Sequence, residues 1–269
     1  RRSKRFAGLV IDVYYSLLQP QVTASHTLCP KHNKNIITHL LLFDMTDSVI
    51  LWGLPPSANS AVIRSFLKVT GIDFTEENAW GKTRTPEYIA KFPTNLAPSL
   101  EHGETCVTEN GAILRYLCRA FPEKASSYYP EDMKTQAKID MLLDFINTGI
   151  CTYIPRATYP SLGFPCGPGE VSSMEETKEH TAKSQAETAK GIDEILEKKY
   201  VEIFLKDTKY LLSDTPTIAD FRFAPMLSFI KVVTTLPPKL VEYYDAMSEL
   251  PGFTEACAAS KEFATPHWK

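Results

Sequence analysis

Residues 96–121 read LAPSLEHGETCVTENGAILRYLCRAF, and this stretch decides the fold. Residues 98–100 and 105–107 flank a polar run, and they predict two short strands joined by a tight turn at His102-Gly103. Beyond them, apolar side chains at helical spacing over residues 113–117 predict a helix. The stretch therefore predicts a β-hairpin that leads into a helix.

The residues before this stretch predict a strand, a helix, a second strand and a short polar helix. The apolar run VILWGL at residues 49–54 is typical of a buried strand, and residues 57–70 have apolar positions at helical spacing. Residues 72–78 predict the second strand, and residues 86–92 predict the short helix. The resulting order βαβαββα, over residues 48–122, indicates a thioredoxin-like domain.

The residues after the stretch predict a linker followed by an all-helical domain. Residues 123–132 read EKASSYYPED, a composition typical of a linker. Residues 133–269 are helical in pattern, apart from a loop rich in proline and glycine at 160–169. Residues 1–47 are expected to be an extension. The predicted fold class is thus an α+β thioredoxin-like domain followed by an all-α domain.

Composition limits the classes of function. The chain has 269 residues, of which 43% are hydrophobic and 23% charged, a mix typical of globular proteins. Its formal net charge of −3 gives no global attraction to nucleic acid, so no nucleic-acid partner is predicted. The six cysteines show no disulfide rhythm, which favours a reducing compartment. No apolar run approaches the roughly 20 residues that a membrane-spanning helix needs.

Three segments resemble motifs of the glutathione transferases, and of their theta-like branch most of all. Leu96-Ala97-Pro98-Ser99-Leu100 is similar to the family's Val-Pro-x-Leu, in which the proline is cis. Glu109-Asn110-Gly111-Ala112-Ile113 is similar to its Glu-Ser-x-Ala-Ile. Thr217-Ile218-Ala219-Asp220 is similar to the capping box of its helical domain. Their order and separation match those of the family, and the resemblance implies glutathione as a co-substrate.

The resemblance places glutathione at Ala97, Pro98, Glu109 and Asn110. A cis bond before Pro98 would turn the backbone so that Ala97 presents its N–H and C=O to an extended peptide. The alternative is that Pro98 is an ordinary trans proline at the start of a strand. Glu109 and Asn110 begin a helix, whose N-terminus favours anions. Glu109 is expected to meet the γ-glutamyl ammonium and Asn110 the γ-glutamyl carboxylate, although ordinary N-capping also explains both residues.

Ser57 is the residue that the resemblance implies for chemistry. The family lowers the thiol pKa of glutathione with a hydroxyl that follows the first strand and lies near the N-terminus of the first helix. Ser57 has this position, and Ser60 is the second candidate. Alternatively, Ser57 serves only as the N-cap of the helix, directly after Pro56. No cysteine occurs between Leu54 and Phe66, so thiol transfer from this position is not expected.

Two positions depart from the theta-like pattern. Leu96 stands where theta-like members have a lysine for the glycyl carboxylate of glutathione, so Lys82 or Arg84 is expected to supply the cation. Cys151 stands where they direct an arginine at the thiol, and Arg156 follows about one helical turn later. Both departures are expected to weaken glutathione binding or catalysis.

Two further motifs are not expected to carry chemistry. Thr217 and Asp220 form a capping box, which serves folding. Four residues near the N-terminus have spacings that resemble those of zinc ligands, but they match no standard ligand set, so no metal site is predicted. These residues are His26, Cys29, His32 and His39.

Two hypotheses on function stay open from the sequence. The first is a homodimeric transferase that conjugates or reduces apolar electrophiles with the glutathione thiolate. The second is a catalytically silent interaction subunit of a larger assembly, which Leu96, Cys151 and the extension at 1–47 favour. The basic start RRSKRF is typical of a processed organellar precursor or of a solvated tail, so a cytoplasmic or mitochondrial location is expected.

Overall fold

The structure, a computed structural model, describes residues 48–162 and 176–269, except for the side chains of 176–182. The described residues belong to one compact unit. The predicted extension at 1–47, with its histidine and cysteine cluster, lies outside them. Within the described ranges, no group of side chains could hold a metal ion, and no helix has the length and apolar content needed to cross a membrane.

The first half has the predicted order βαβαββα. Its four strands form one sheet in the order β2-β1-β3-β4, in which β1 is parallel to β2 and antiparallel to β3. The elements are β1 (Val49–Gly53), α1 (Ala58–Thr70), β2 (Phe74–Asn78), α2 (Pro86–Lys91), β3 (Ser99–His102), β4 (Thr105–Thr108) and α3 (Asn110–Ala120). The thioredoxin-like prediction is therefore confirmed.

The hairpin turn lies one residue later than the sequence predicts. His102 pairs with Thr105, so the central residues of the turn are Gly103 and Glu104, and Gly103 has a φ of 57° that suits glycine. The prediction of a turn at His102-Gly103 is wrong because β3 extends through His102. The His102 ring is buried and stacks on Phe121 at 5.2 Å, which holds that residue in the sheet.

The second half is helical, as predicted. The apolar positions of its first long helix, Ile139, Leu142, Leu143 and Ile146, are all fully buried. The helices are α4 (Pro122–Ala125), α5 (Met133–Thr148), α6 (Ile150–Thr158), α7 (Glu176–Ile195), which a π-helical stretch continues over Leu196–Phe204, α8 (Ile218–Phe223), α9 (Leu227–Ile230), α10 (Pro238–Ser248) and α11 (Phe253–Ala264). Short 3-10 turns are Ser126–Tyr128, Pro160–Leu162, Ala224–Met226 and Thr265–His267.

The segment 123–132 packs against both halves. The Tyr128 ring lies edge-on to Phe66 of α1 at 5.6 Å and to Phe221 of α8 at 5.3 Å. Phe66 and Phe221 also contact each other edge-on at 5.0 Å. This aromatic cluster joins the two halves, because each of its three rings comes from a different part of the chain.

Asp220 fixes the start of α8 through a capping box. Its carboxylate accepts hydrogen bonds from the backbone N–H of Thr217 at 2.7 Å and of Leu211 at 2.9 Å, and the Thr217 hydroxyl accepts from the N–H of Ala219 at 3.3 Å. Asp220 is fully buried, and this burial raises its pKa to about 6 against the opposing effect of these hydrogen bonds. The box thus satisfies buried backbone donors that have no access to water.

We expect Asp220→Ala to lower the free energy of unfolding by about 3 kcal/mol, because it leaves two buried N–H groups without an acceptor. Asp214→Ala is the matched control, since its exposed carboxylate also accepts from a backbone N–H, that of Lys209, at 3.0 Å. The control should lose less than about 1 kcal/mol in denaturant unfolding. Equal losses in the two variants would contradict this account of the box.

Candidate functional site

A cavity of about 720 Å³ has one side in the thioredoxin-like half and the other in the helical half. The sequence-predicted residues that line it are Ser57, Ala97, Pro98, Glu109 and Asn110. The helical half contributes Asn147, Cys151, Ile154, Arg222, Met226 and Phe229, among others. The structure therefore brings together residues that lie far apart in the sequence.

Ser57 lies at the N-terminus of α1 and faces the cavity. It is the N-cap, and its hydroxyl oxygen accepts from the N–H of Ser60 at 3.4 Å, so its own O–H remains available to donate. The first N–H groups of the helix, on Ala58 and Asn59, have no intrahelical acceptor. Ser60 is fully buried, and its hydroxyl accepts from the N–H of Leu54 at 3.0 Å. The geometry thus favours Ser57 over Ser60 as a partner for a bound anion.

The peptide bond between Ala97 and Pro98 is cis, as the sequence resemblance implies. The loop before it is fixed by Tyr88 of α2, whose hydroxyl donates to the Leu96 carbonyl at 2.8 Å. The Ser99 hydroxyl donates to the same carbonyl at 2.9 Å. Pro98 is buried and Ala97 is half-buried at the cavity, so the loop places the Ala97 backbone beside it.

Glu109 precedes α3 in an unusual backbone conformation. Its φ is 70°, a value that only one other non-glycine residue of the described ranges, Asn95, approaches. Glu109 is exposed at the cavity, and its side chain does not cap the helix. N-capping therefore does not explain Glu109, and positive φ in a residue with a side chain is a strain often found at functional sites.

Asn110 ties the start of α3 to the start of α1. Its side-chain Nδ2 donates to Oδ1 of Asn59 at 3.2 Å, across the cavity-facing ends of the two helices. Asn110 is only 8% exposed, and its Oδ1 has no hydrogen-bond partner among the described residues. Two helix N-termini, each favourable to negative charge, are thus held next to each other at the cavity.

The two predicted cations have different positions. Lys82 forms an exposed ion pair with Glu77 at 3.3 Å, lies over the Trp52 ring at 5.1 Å and does not line the cavity. Arg84 is exposed, lines the cavity and forms no ion pair with the described residues. Of the two cations that were expected to replace a lysine at Leu96, Arg84 has the better position.

A buried arginine that the sequence reading missed lies at the same cavity. Arg222 of α8 is 5% exposed, and its Nε donates to Oδ1 of Asn147 at 2.8 Å. Cys151 lies next to it, whereas Arg156 is exposed and does not line the cavity. The one available signal was that Arg222 is the single charged residue between Phe221 and Ile230, in a run that is otherwise mostly apolar.

Two ionisable groups of the cavity are shifted towards their neutral forms. Burial raises the pKa of the Cys151 thiol above its ordinary value, although the neighbouring Arg222 guanidinium acts in the opposite direction. Burial also raises the pKa of the Tyr159 phenol. Both groups are therefore uncharged at neutral pH, and Cys151 does not supply a thiolate of its own.

Two family models match the chain. Glutathione S-transferase, N-terminal domain, matches residues 47–119, and Glutathione S-transferase, C-terminal domain, matches residues 179–253. Together the two ranges make up just over half of the chain. The chain belongs to the glutathione S-transferase family. The thioredoxin-like half that contributes Ser57 to the cavity is therefore the N-terminal glutathione S-transferase domain.

Curated relatives agree with this assignment. Glutathione S-transferase T1 of Arabidopsis thaliana is 33% identical over 128 residues, which are 45% of this chain and 52% of that protein. Glutathione S-transferase theta-3 of Mus musculus is 29% identical over 158 residues, 58% of this chain and 61% of that protein. A glutathione S-transferase of Triticum aestivum is 26% identical over 78% of this chain and 93% of that protein. The matched part of the chain thus spans about half of the first relative and three-fifths of the second.

Solved structures agree on the fold. The apo form of human glutathione S-transferase T1-1 superposes with a TM-score of 0.67 at 22% identity, over 81% of this chain and 91% of that one. Human glutathione transferase theta-2, in complex with glutathione, gives a TM-score of 0.64 at 19% identity, over 82% and 90% of the two chains. These similarities confirm the predicted fold class of a thioredoxin-like domain followed by a helical glutathione S-transferase domain.

We expect Glu109→Gly to raise the free energy of unfolding by about 1 kcal/mol, because glycine adopts a φ of 70° without steric cost. Glu104→Gly is the matched control, since Glu104 is exposed in the nearby turn and its φ is not positive. The control should lose about 0.5 kcal/mol through the greater freedom of the unfolded chain. Denaturant unfolding measures both, and a loss of stability in Glu109→Gly would refute the strain at this residue.

Proposed function

We propose that the chain is a glutathione transferase that binds glutathione in the cavity and uses its thiolate to conjugate or reduce an apolar electrophile. The observation that carries this proposal is that Ser57, Ala97, Pro98, Glu109 and Asn110, chosen from sequence, line one cavity. Membership of the glutathione S-transferase family supports the same conclusion. The cavity is also large enough for a tripeptide together with a small second ligand.

The peptide would lie along the thioredoxin-like side of the cavity. The γ-glutamyl carboxylate would meet the N-terminus of α3 and the second N–H of the Asn110 side chain, since the first is used by Asn59. Glu109 would pair with the γ-glutamyl ammonium, and the Ala97 backbone would pair with the cysteinyl unit as an added strand does. Arg84 would approach the glycyl carboxylate in place of a lysine at Leu96.

The sulfur of glutathione would lie at the N-terminus of α1. There the Ser57 hydroxyl would donate a hydrogen bond to the thiolate, and the helix dipole would favour its negative charge, so that the thiol pKa falls and the proton leaves to water. The sulfur then forms a bond to the electrophilic carbon, and the leaving group departs with its electron pair. Ser57 stabilises the anion and does not take up the proton.

The remaining sequence-based hypotheses have unequal support. The interaction-subunit hypothesis depended partly on Leu96 and Cys151, yet two cations, Arg84 and Arg222, line the same cavity, and Arg222 was not expected from the sequence. We therefore retain the transferase as the proposed function. A homodimer and a cytoplasmic or mitochondrial location remain predictions.

Calorimetry with glutathione, followed by kinetics with 1-chloro-2,4-dinitrobenzene, tests the proposal. We expect Ser57→Ala to bind glutathione with nearly the wild-type affinity but to lower kcat/KM by about a hundredfold. The reason is that the lost hydrogen bond stabilises the negative charge on the sulfur of glutathione. The ultraviolet absorbance of the thiolate against pH should show a raised pKa of the bound thiol in this variant.

Ser60→Ala is the control for this measurement. Its hydroxyl accepts from the Leu54 N–H inside the core, so its loss should lower the free energy of unfolding by about 1 kcal/mol without changing the pKa of the bound thiol. Absence of any heat of glutathione binding in the wild-type chain would reject the proposed function. A normal rate in Ser57→Ala would reject the role of Ser57 alone.

A further inference from the structure

Asn147, near the end of α5, lies at the point of the cavity where the helical half approaches the start of α3. Its Oδ1 accepts a hydrogen bond from Nε of Arg222 at 2.8 Å. On its other side, a Cβ atom placed on Gly111 would lie 3.7 Å from Nδ2 of Asn147. The absence of a side chain at Gly111 thus leaves space beside this Nδ2 group at the first turn of α3.

Arg222 determines how the Asn147 amide is oriented. A guanidinium has only donors, so the amide atom that faces it must be the acceptor Oδ1. The two N–H groups of Nδ2 therefore face away from Arg222 and towards the first turn of α3, and they donate to no other described residue. Arg222 is 5% exposed and belongs to no ion pair within the described ranges, so no carboxylate there competes with Asn147 for it.

Donors from both halves of the chain meet at the start of α3. Asn110 offers the second N–H of its side chain, since the first donates to Asn59 at 3.2 Å. The first backbone N–H groups of α3 have no intrahelical acceptor, and the Glu109 side chain does not cap them. Nδ2 of Asn147 adds a donor from the helical half. A carboxylate fits this set of donors, because its two oxygens accept several hydrogen bonds at once.

We infer that Asn147 is a glutathione-binding residue of the helical half, whose Nδ2 donates a hydrogen bond to the γ-glutamyl carboxylate. Arg222 is then a positioning residue, because it orients the Asn147 amide without touching the peptide. This inference rests on the proposed function, since it adds a residue to the same site. The carboxylate is held by α3 on one side and by α5 on the other, so bound glutathione connects the two halves of the chain.

A purely structural role for Asn147 is the competing explanation, in which its bond to Arg222 only fastens α5 to α8. Asn147→Asp separates the two roles. The new carboxylate keeps an acceptor for Arg222 and gives this buried cation a countercharge, so the midpoint of denaturant unfolding should not fall. The variant has no donor in place of Nδ2 and repels a bound carboxylate, so we expect the dissociation constant of glutathione to rise about thirtyfold in calorimetry.

An analogue of glutathione without the γ-glutamyl carboxylate shows whether this loss is specific. 4-Aminobutyryl-cysteinyl-glycine keeps the ammonium and the rest of the peptide. We expect the wild-type chain to bind it more weakly than glutathione, and Asn147→Asp to bind it at least as tightly as the wild-type chain does. Gln136→Glu is the matched control, since it makes the same change of amide to carboxylate on α5 at a residue that does not line the cavity. It should leave both affinities unchanged.

Arg222→Gln tests the positioning role. A glutamine side chain can either donate or accept, so it no longer fixes which end of the Asn147 amide faces α3. We expect the preference of this variant for glutathione over the analogue to fall about fivefold. Arg222→Lys should keep the preference, because lysine also has only donors. Full preference in Arg222→Gln would overturn the positioning role of Arg222.

The outcome for Asn147 is distinct from the outcome for the proposed function. Wild-type affinity for glutathione in Asn147→Asp, or an equal loss of affinity for glutathione and the analogue, would overturn the inference and leave the proposed function in place. If Asn147→Asp does not fold, Asn147→Ala removes the donor without adding a charge, and it should lose about tenfold for glutathione and nothing for the analogue. Absence of any heat of glutathione binding in the wild-type chain would reject the proposed function, and the inference with it.

Discussion

The contact between Phe66 of α1 and Phe221 of α8 is the interaction on which the site depends. The two rings meet edge-on at 5.0 Å with Tyr128 against both. Phe66 and Phe221 belong to the buried core, and the half-buried Tyr128 packs against it. Because α1 is held on one side by the sheet and on the other by α8, its N-terminus has a fixed position. Ser57 precedes that helix and Arg222 directly follows Phe221, so one aromatic contact places a group on each side of the cavity.

Groups that favour negative charge lie on both sides of the cavity. At the thioredoxin-like side, the N-termini of α1 and α3 lie next to each other, joined by the bond between Asn59 and Asn110. At the helical side, Arg222 provides a full positive charge beside apolar side chains. Both regions favour negative charge. The arrangement suits a reaction whose nucleophile is an anion supplied by a bound peptide.

Local sequence signals predicted most of the fold, because strands, caps and helices here obey short-range rules. Ser57 and Gly71 mark the two ends of α1, and the Thr217 capping box marks the start of α8. The hairpin turn was misplaced by one residue, since the ring contact that holds His102 in β3 comes from Phe121, outside the hairpin.

The site was predicted only where a motif identified it. Lys82 and Arg84 lie at similar separations in sequence from Leu96, so the sequence does not distinguish them as replacements for a lysine there. Only the ion pair with Glu77 shows that Lys82 is engaged elsewhere. Arg222 could not be assigned from sequence, because its burial and its bond to Asn147 depend on how α8 packs against α5.

A crystal structure of the chain with glutathione tests the account most directly. The account predicts the sulfur within hydrogen-bonding distance of the Ser57 hydroxyl and the γ-glutamyl end at Glu109 and Asn110, whereas glutathione bound outside this cavity would contradict it.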